Sequence, residues 1–367
     1  VKITRPTVLI DKPLTLKKIE AMARKAKASE VRFRPHFKTH RSAAIGEWFR
    51  RYGVTSIAVS SVEMATYFAG HGWHDVMVCI PANLRELDAM NALAETVELH
   101  VLVDSLVAAE HLGSLIGTEV NTWIEIDVGY HRTGVPATDD ARIQRIARAI
   151  DRAPTLALTG IITHAGHSYH AASHAAIRRV HRNSVAQMAA VQHRLTAAGF
   201  DEVEVSVGDT PTCSVVETFD RPIDEIRPGN FVFYDLTQLN IGCCTEDDLS
   251  MTVACPVISK PLDRAELVIY GGGTSLSKEY YAAHGRRVYG LIALPADEGG
   301  RTPSRPGAYV ASLSQEHGKV TGPPDFIADT RIGDVLLVLP VHACQAALLY
   351  GEYRTYKGER LSCFQVS

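Results

Sequence analysis

Val76-Met77-Val78-Cys79-Ile80 is apolar at every position, so neither face of the segment belongs in water, and a strand of this kind suits a parallel sheet buried between two layers. Helix candidates lie on either side of it, at 62–70 and 84–96, and the same unit repeats along the chain. Upstream, Leu16, Ile19, Met22, Ala23 and Ala26 recur at helical spacing before the alternating run Val31-Arg32-Phe33-Arg34. The spacing predicts strands at 31–36, 56–60, 76–80, 100–104, 121–128, 157–163, 203–207 and 223–227. Further helices are predicted at 42–52, 106–115, 138–152 and 171–199. Eight strands with crossover helices make the α/β count of a (β/α)8 barrel, and a doubly wound open sheet is the competing arrangement.

After residue 230 the texture changes to strand-like runs without long helices between them: Phe231–Asp235, Met251–Ser259, Glu266–Tyr270, Val288–Leu294, Tyr309–Ser314 and Asp334–Leu339. Glycine and proline clusters separate them, as at Gly271-Gly272-Gly273 and Gly322-Pro323-Pro324. The expected organisation is a barrel over 11–230 and an all-β domain over 231–367, joined by the early strand within 1–10.

Composition narrows the function. The chain has 367 residues, 46% hydrophobic and 22% charged, which fits a globular protein with a large core. A net charge of −3 creates no field for nucleic acid or an anionic membrane, so neither is an expected partner and a small-molecule substrate is. Seven cysteines are too sparse for a disulfide framework. No apolar run reaches the ~18 residues of a membrane span, and the opening Val1-Lys2-Ile3-Thr4-Arg5-Pro6 has no signal-peptide stretch. A cytoplasmic location is expected.

Reactive groups in such a barrel come from the strand ends. These ends read Arg34-Pro35-His36-Phe37-Lys38-Thr39-His40, Asp127-Val128-Gly129-Tyr130-His131-Arg132-Thr133-Gly134, Thr163-His164-Ala165-Gly166-His167-Ser168-Tyr169, Gly208-Asp209-Thr210-Pro211-Thr212 and Arg227-Pro228-Gly229-Asn230. Lys38 between two histidines can be a Schiff-base lysine with a lowered pKa, or a solvated loop lysine. The turns at 208–212 and 228–230 can cradle a phosphate, or can be turns for conformational reasons alone. On an extended segment His342 and Cys344 point to one side and could share a cation such as zinc. A buried cysteine beside a core histidine is the other reading.

In order and spacing these pieces resemble the fold-type III, alanine-racemase-like pyridoxal-phosphate enzymes, and more narrowly the D-serine dehydratase and D-threonine aldolase family. The resemblance covers nearly the whole chain. It implies that Lys38 carries the cofactor, that Arg132 faces the pyridine nitrogen, and that His164 packs on the ring. Thr210, Pro211, Thr212, Gly229 and Asn230, with Tyr234 nearby, match the phosphate surroundings, and His167 and Tyr169 are candidate acid/base groups. His342 and Cys344 match the divalent-metal pair, for which the thiol favours zinc over manganese or magnesium. D-Threonine aldolases typically have His-X-Asp there, so the thiolate favours dehydration of a D-3-hydroxy amino acid of the D-serine or D-threonine type to a 2-oxo acid and ammonia. Aldol cleavage to glycine and an aldehyde is the runner-up, and a racemase a third reading that gives the pair no task. Gln345-Ala346-Ala347-Leu348 lacks the Pro-Thr that commonly follows the pair, and Gly-Asp-Thr-Pro-Thr replaces a plain glycine run. The fold type also implies a homodimer.

Overall fold

The computed structural model describes residues 2–365 except 284 and 298. Residue 1 and residues 366–367, the outer ends of the expected β domain, lie outside the described residues. The chain begins with β1 (Thr7–Ile10) and α1 (Lys12–Ala28), then β2 (Arg32–Phe33), α2 (Ala43–Arg50), β3 (Ser56–Val59), α3 (Val62–Ala69), β4 (Asp75–Pro81), α4 (Leu87–Ala94), β5 (Glu98–Val103), α5 (Leu106–Leu115), β6 (Val120–Asp127), β7 (Val135–Pro136), α6 (Asp140–Arg152), β8 (Leu156–Ile162), α7 (His174–Ala197), β9 (Glu204–Val207), α8 (Thr210–Val215) and β10 (Glu225–Ile226). Serine or aspartate caps several helices where a strand end turns into them, at Ser61, Ser105, Asp139, Ser173 and Asp209. Each side-chain oxygen accepts an otherwise orphaned backbone N–H.

Eight parallel strands run in the order β2-β10-β9-β8-β6-β5-β4-β3. A parallel bridge between His36 and Ala58 closes the ring, with Phe37 N–H donating to Ala58 O at 2.8 Å and Ala58 N–H to Pro35 O at 3.0 Å. The barrel is therefore the architecture, and the open sheet is excluded by that closure. Its interior is a packed layer of Ala58, Met77, Leu102, Trp123 and Ile162. Trp123 fits because position 160 is glycine, where a Cβ would lie 2.6 Å from the indole ring. The eight expected strands are all present, yet β2 and β10 shrink to two residues each. The expected helix at 84–96 divides into a 3-10 turn, Leu84–Glu86, and α4.

The remaining elements are α9 (Leu236–Asn240), β11 (Met251–Ser259), β12 (Leu267–Tyr270), α10 (Gly273–Leu276), β13 (Tyr281–Ala283), β14 (Arg286–Val288), β15 (Gly290–Ala293), β16 (Tyr309–Leu313), β17 (His317–Thr321), α11 (Pro324–Asp329), β18 (Val335–Pro340), α12 (Ala343–Leu348), β19 (Glu352–Thr355) and β20 (Arg360–Ser362). The sheet order is β12-β17-β16-β15-β18-β11-β1-β19-β20, and a further β11–β12 pairing rolls it into a second barrel. Its pairings are antiparallel except that between β1 and β19. The early strand thus joins the late β sheet as expected.

One expected strand is absent. Phe231–Asp235 is no strand: Asn230–Val232 forms a 3-10 turn and Asp235 caps α9. Phe231, Val232 and Phe233 are fully buried, and a short apolar run buried on all sides carries no period that separates a strand from a turn.

Candidate active site

A cavity of about 650 Å³ opens at the strand C-termini and reaches the β domain; Lys38, Arg132, His164, Tyr169, Thr210, Gly229, Asn230, His342 and Cys344 all line it. Residues more than 300 positions apart in sequence therefore share one space.

Lys38 projects from a turn whose neighbour, Phe37, is wholly buried against Phe68 and Trp73 at 5.0 and 5.1 Å between ring centres. That edge-on aromatic packing anchors the turn, while Lys38 itself stays exposed to the cavity. His36 accepts at Nδ1 from the Lys38 N–H at 3.4 Å. Burial, reinforced by the Lys38 and Arg227 charges, keeps His36 well below the usual histidine range. His164 donates from Nδ1 to Gly208 O at 2.7 Å, because a carbonyl can only accept. Burial and the Lys38 charge push its pKa to about 3, so the ring is neutral with a bare Nε2.

Arg132 is held by a local device. Asp127 accepts at Oδ1 from the N–H groups of Gly129, Tyr130 and His131, a side-chain-capped turn that carries Arg132 over the Tyr130 ring at 5.4 Å. Tyr130 in turn packs where a Cβ on Gly166 would lie, 2.4 Å from the ring. Tyr169 accepts at its hydroxyl from Thr210 N–H at 3.3 Å, and burial raises its pKa above the ordinary phenol value.

The stretch at 210–212 is the first turn of α8 rather than a free turn, since Asp209 accepts from Thr212 N–H and Thr212 Oγ1 at 2.8 Å each. Pro211 and Thr212 consequently lie outside the cavity lining, unlike Thr210. Tyr234 is outside it too, bonded to Ser214 Oγ at 3.0 Å. His167 likewise misses the lining, and its Nδ1 is buried without a partner. Arg34, quoted above among the strand-end residues, points the other way, into the closed end of the barrel.

The expectation of an extended segment at 342–344 is corrected: His342 is the N-cap of α12 and Cys344 stands in its first turn. The two side chains still share the cavity, close enough for each to shift the other's ionisation. Burial pushes the His342 pKa down, but Cys344 and the bond to Glu279 lift it to about 11. Burial likewise opposes ionisation of Cys344, and the proximity and charge of His342 nevertheless hold the thiol below its ordinary pKa. Both are the electrostatics of a thiolate paired with a cation. Thr39 Oγ1 lies 3.3 Å from the sulfur.

Two carboxylates complete the arrangement, and no local sequence motif marks either. Asp235 accepts at Oδ2 from Ala343 N–H at 2.9 Å and Asn230 Nδ2 at 2.6 Å, tying the last barrel loop to α12. Glu279 accepts from His342 Nδ1 at 2.9 Å.

Among the described residues, only Asp75, Glu98 and His100 gather three potential metal-ligand atoms within 4.8 Å. They sit at the N-terminal ends of β4 and β5, at the closed end of the barrel. There Arg34 pairs with Asp75 and reaches within 3.5 Å of His100 Nε2. His100 Nδ1 accepts from Trp123 Nε1 at 3.0 Å, so Nε2 bears the proton. The cation in that cluster is the guanidinium.

Comparison with known proteins agrees with this layout. Residues 13–236 match the alanine racemase N-terminal domain and residues 250–356 a putative serine dehydratase domain. D-threo-3-hydroxyaspartate dehydratase of Delftia sp. (strain HT23) is 30% identical over 358 residues, covering 95% of this chain and 93% of that protein. D-serine dehydratase of Dictyostelium discoideum is 24% identical over 387 residues, covering 96% and 93%. The solved structure of the Delftia dehydratase superposes with a TM-score of 0.92 at 27% identity, covering 100% of this chain and 99% of that one. An alanine racemase from Clostridium difficile, at 13% identity and TM-score 0.70 over 99% of both chains, shares the fold alone. No helix among the described residues is long and apolar enough to cross a membrane. By sequence and by fold, the chain belongs to the alanine-racemase-like family that includes the D-3-hydroxy amino acid dehydratases and aldolases.

Proposed function

We propose that this protein is a lyase dependent on pyridoxal phosphate and a divalent metal, dehydrating D-3-hydroxy amino acids of the D-serine or D-threonine type to a 2-oxo acid and ammonia. The observation that carries the reading is that His342 and Cys344 line the same cavity as an exposed Lys38. On this reading residues 11–230 hold the cofactor and residues 231–367, with the early strand, supply the metal pair.

The residues fit both groups. Lys38 offers an amine with no carboxylate partner among the described residues. At Gly208 and Gly229 a Cβ would come within 2.8 Å of Arg227 and 2.9 Å of His36 O, so the first turn presses against the residue that follows β10 and the second against the segment that carries Lys38. Asn230 Oδ1 is buried without a partner, left for a ligand or its water. The thiolate and imidazole are a zinc-type donor set.

Bound pyridoxal phosphate supplies the electron withdrawal that acidifies the substrate α-carbon. Lys38 Nζ would hold the cofactor and, once the substrate amine has replaced it, take the α-proton as general base. Arg132, always charged, would face the pyridine nitrogen and keep it unprotonated. Neutral His164 would lie on the ring, fixed by its bond to Gly208. Tyr169 keeps its proton and offers a hydroxyl to the cavity. His342 and Cys344 would hold the ion that turns the 3-hydroxyl into a leaving group.

The deciding experiment is a product assay on protein loaded with pyridoxal phosphate and zinc, then manganese, given D-serine and D-threonine, with a chelator control. A 2-oxo acid and ammonia, lost on chelation, are expected. Glycine and acetaldehyde from D-threonine would make the enzyme an aldolase.

A further inference from the structure

Three residues past Lys38, Arg41 lines the same cavity. It is only 4% exposed, yet its Nε has no hydrogen-bond partner and no carboxylate pairs with the guanidinium among the described residues. A buried, unpaired charge is costly unless something neutralises it. The backbone there is left-handed, with φ 52°, a conformation disfavoured for a residue with a side chain. Packing holds the residue in place: Arg41 N–H donates to Phe37 O and Arg41 O accepts from Phe364 N–H at 2.6 Å. The guanidinium carbon lies 5.1 Å from the centre of the Phe364 ring. One flat face is thus covered, while the planar fork that pairs best with an oxyanion remains unused.

Position separates this charge from the phosphate surroundings. Gly208, Thr210, Gly229 and Asn230 follow β9 and β10, on one side of β2 in the ring, whereas Arg41 packs on the segment after β20. Its charge bears on Tyr353 and Cys363 there. This is where the β domain, with Cys344 on α12, covers the barrel.

We propose that Arg41 binds a carboxylate of the substrate. The inference rests on the lyase reading for the identity of the ligand, not for the anion site itself. Every D-3-hydroxy amino acid carries an α-carboxylate, and 3-hydroxyaspartate carries a second; the guanidinium fits either.

The test uses the holoenzyme, with pyridoxal phosphate and zinc bound, and the variants Arg41→Gln and Arg41→Lys. Losing a charge-assisted pair should raise KM about tenfold to a hundredfold in Arg41→Gln, with partial recovery in Arg41→Lys, which keeps the charge but not the fork. A rise for both D-serine and D-threo-3-hydroxyaspartate assigns Arg41 to the α-carboxylate, and a rise for the dicarboxylate alone assigns it to the distal one. Calorimetric titration with malonate, which has no amine, reads the site without catalysis and should weaken at least tenfold in Arg41→Gln. The melting temperature without substrate should fall by no more than the contact with the Phe364 ring accounts for, and Arg41→Lys and Arg41→Gln should lose it alike, since the guanidinium has no carboxylate or hydrogen-bonded partner among the described residues to lose. Malonate binding that depends on Arg41 in a protein with no turnover would uphold the anion site and remove the lyase reading. Normal turnover with KM and malonate binding indifferent to Arg41, or a fall in melting temperature with KM unchanged, would overturn the proposal.

Discussion

The two ends of the parallel barrel are built from similar residues and treat charge in opposite ways. At the closed end each arginine has its carboxylate. Arg32 pairs with Glu204 and lies 2.8 Å from Glu225, while Arg34 pairs with Asp75 and lies 2.7 Å from the same Glu225 oxygen. At the mouth, Lys38, Arg41 and Arg132 have no carboxylate partner among the described residues. Asp209 and Asp235 stand nearby but spend their oxygens on hydroxyl and amide donors. A barrel end that needs only to be solid satisfies its charges internally, whereas an end that receives an anionic ligand leaves them open.

Replacing the cations and anions separately tests that contrast. At the mouth, Lys38→Ala should abolish the visible absorbance of bound cofactor and lower turnover about a thousandfold or more, with little change in unfolding free energy; retained absorbance would undo the assignment of Lys38. At the closed end, Glu225→Gln should do the reverse. The wholly buried Arg34 and the partly exposed Arg32 lose their common partner, at a cost of about 3 kcal/mol, carried by Arg34 and measurable by urea unfolding. A loss below 1 kcal/mol would show that this network is not what closes the barrel.

A smaller effect is expected where Glu279 meets His342. Carboxylates behind metal-bound histidines typically account for about a tenfold to hundredfold change in metal affinity, so Glu279→Gln should weaken zinc retention by that order in a chelator competition.

The mildest test is acid titration. Burial raises and the Arg34 and Arg32 charges more than offset it, leaving Glu225 below its ordinary pKa of 4.5. Its stabilising contribution is therefore present above pH 4.5 and fades as pH falls through the lower folded value. Asp235 is shifted upward by burial, so its contribution has the other sign, present at low pH and lost as pH rises through its folded value. Glu225→Gln should flatten the acid limb of the stability curve, and Asp235→Asn should steepen it.

How far the sequence reaches depends on whether neighbours along the chain are neighbours in space. The buried strands announced themselves because β3 and the middle of β4 are apolar on both faces, a property confined to a few consecutive residues. The Lys38 and Arg132 turns were legible for the same reason. Arg34 was not: the partners that hold it at the closed end, Asp75 and Glu225, are 41 and 191 positions away. Glu279, 63 positions from His342, sits in a loop whose local sequence serves only the loop. The His342–Cys344 pair was found through a wrong backbone, since a helix N-cap and its first turn can place two side chains together as an extended segment does.

The pairing of β1 also orders events in time. Thr7–Ile10 finds its partners at Met251–Ala254 and Arg354–Thr355, so the early strand stays single while some 240 residues are synthesised. Contacts that distant are entropically slow to close. The barrel has all its strands by residue 226, but α12 follows β18. On a ribosome, the lysine wall of the cavity thus forms well before the wall that carries His342 and Cys344, and completion of the cavity becomes a late step of assembly.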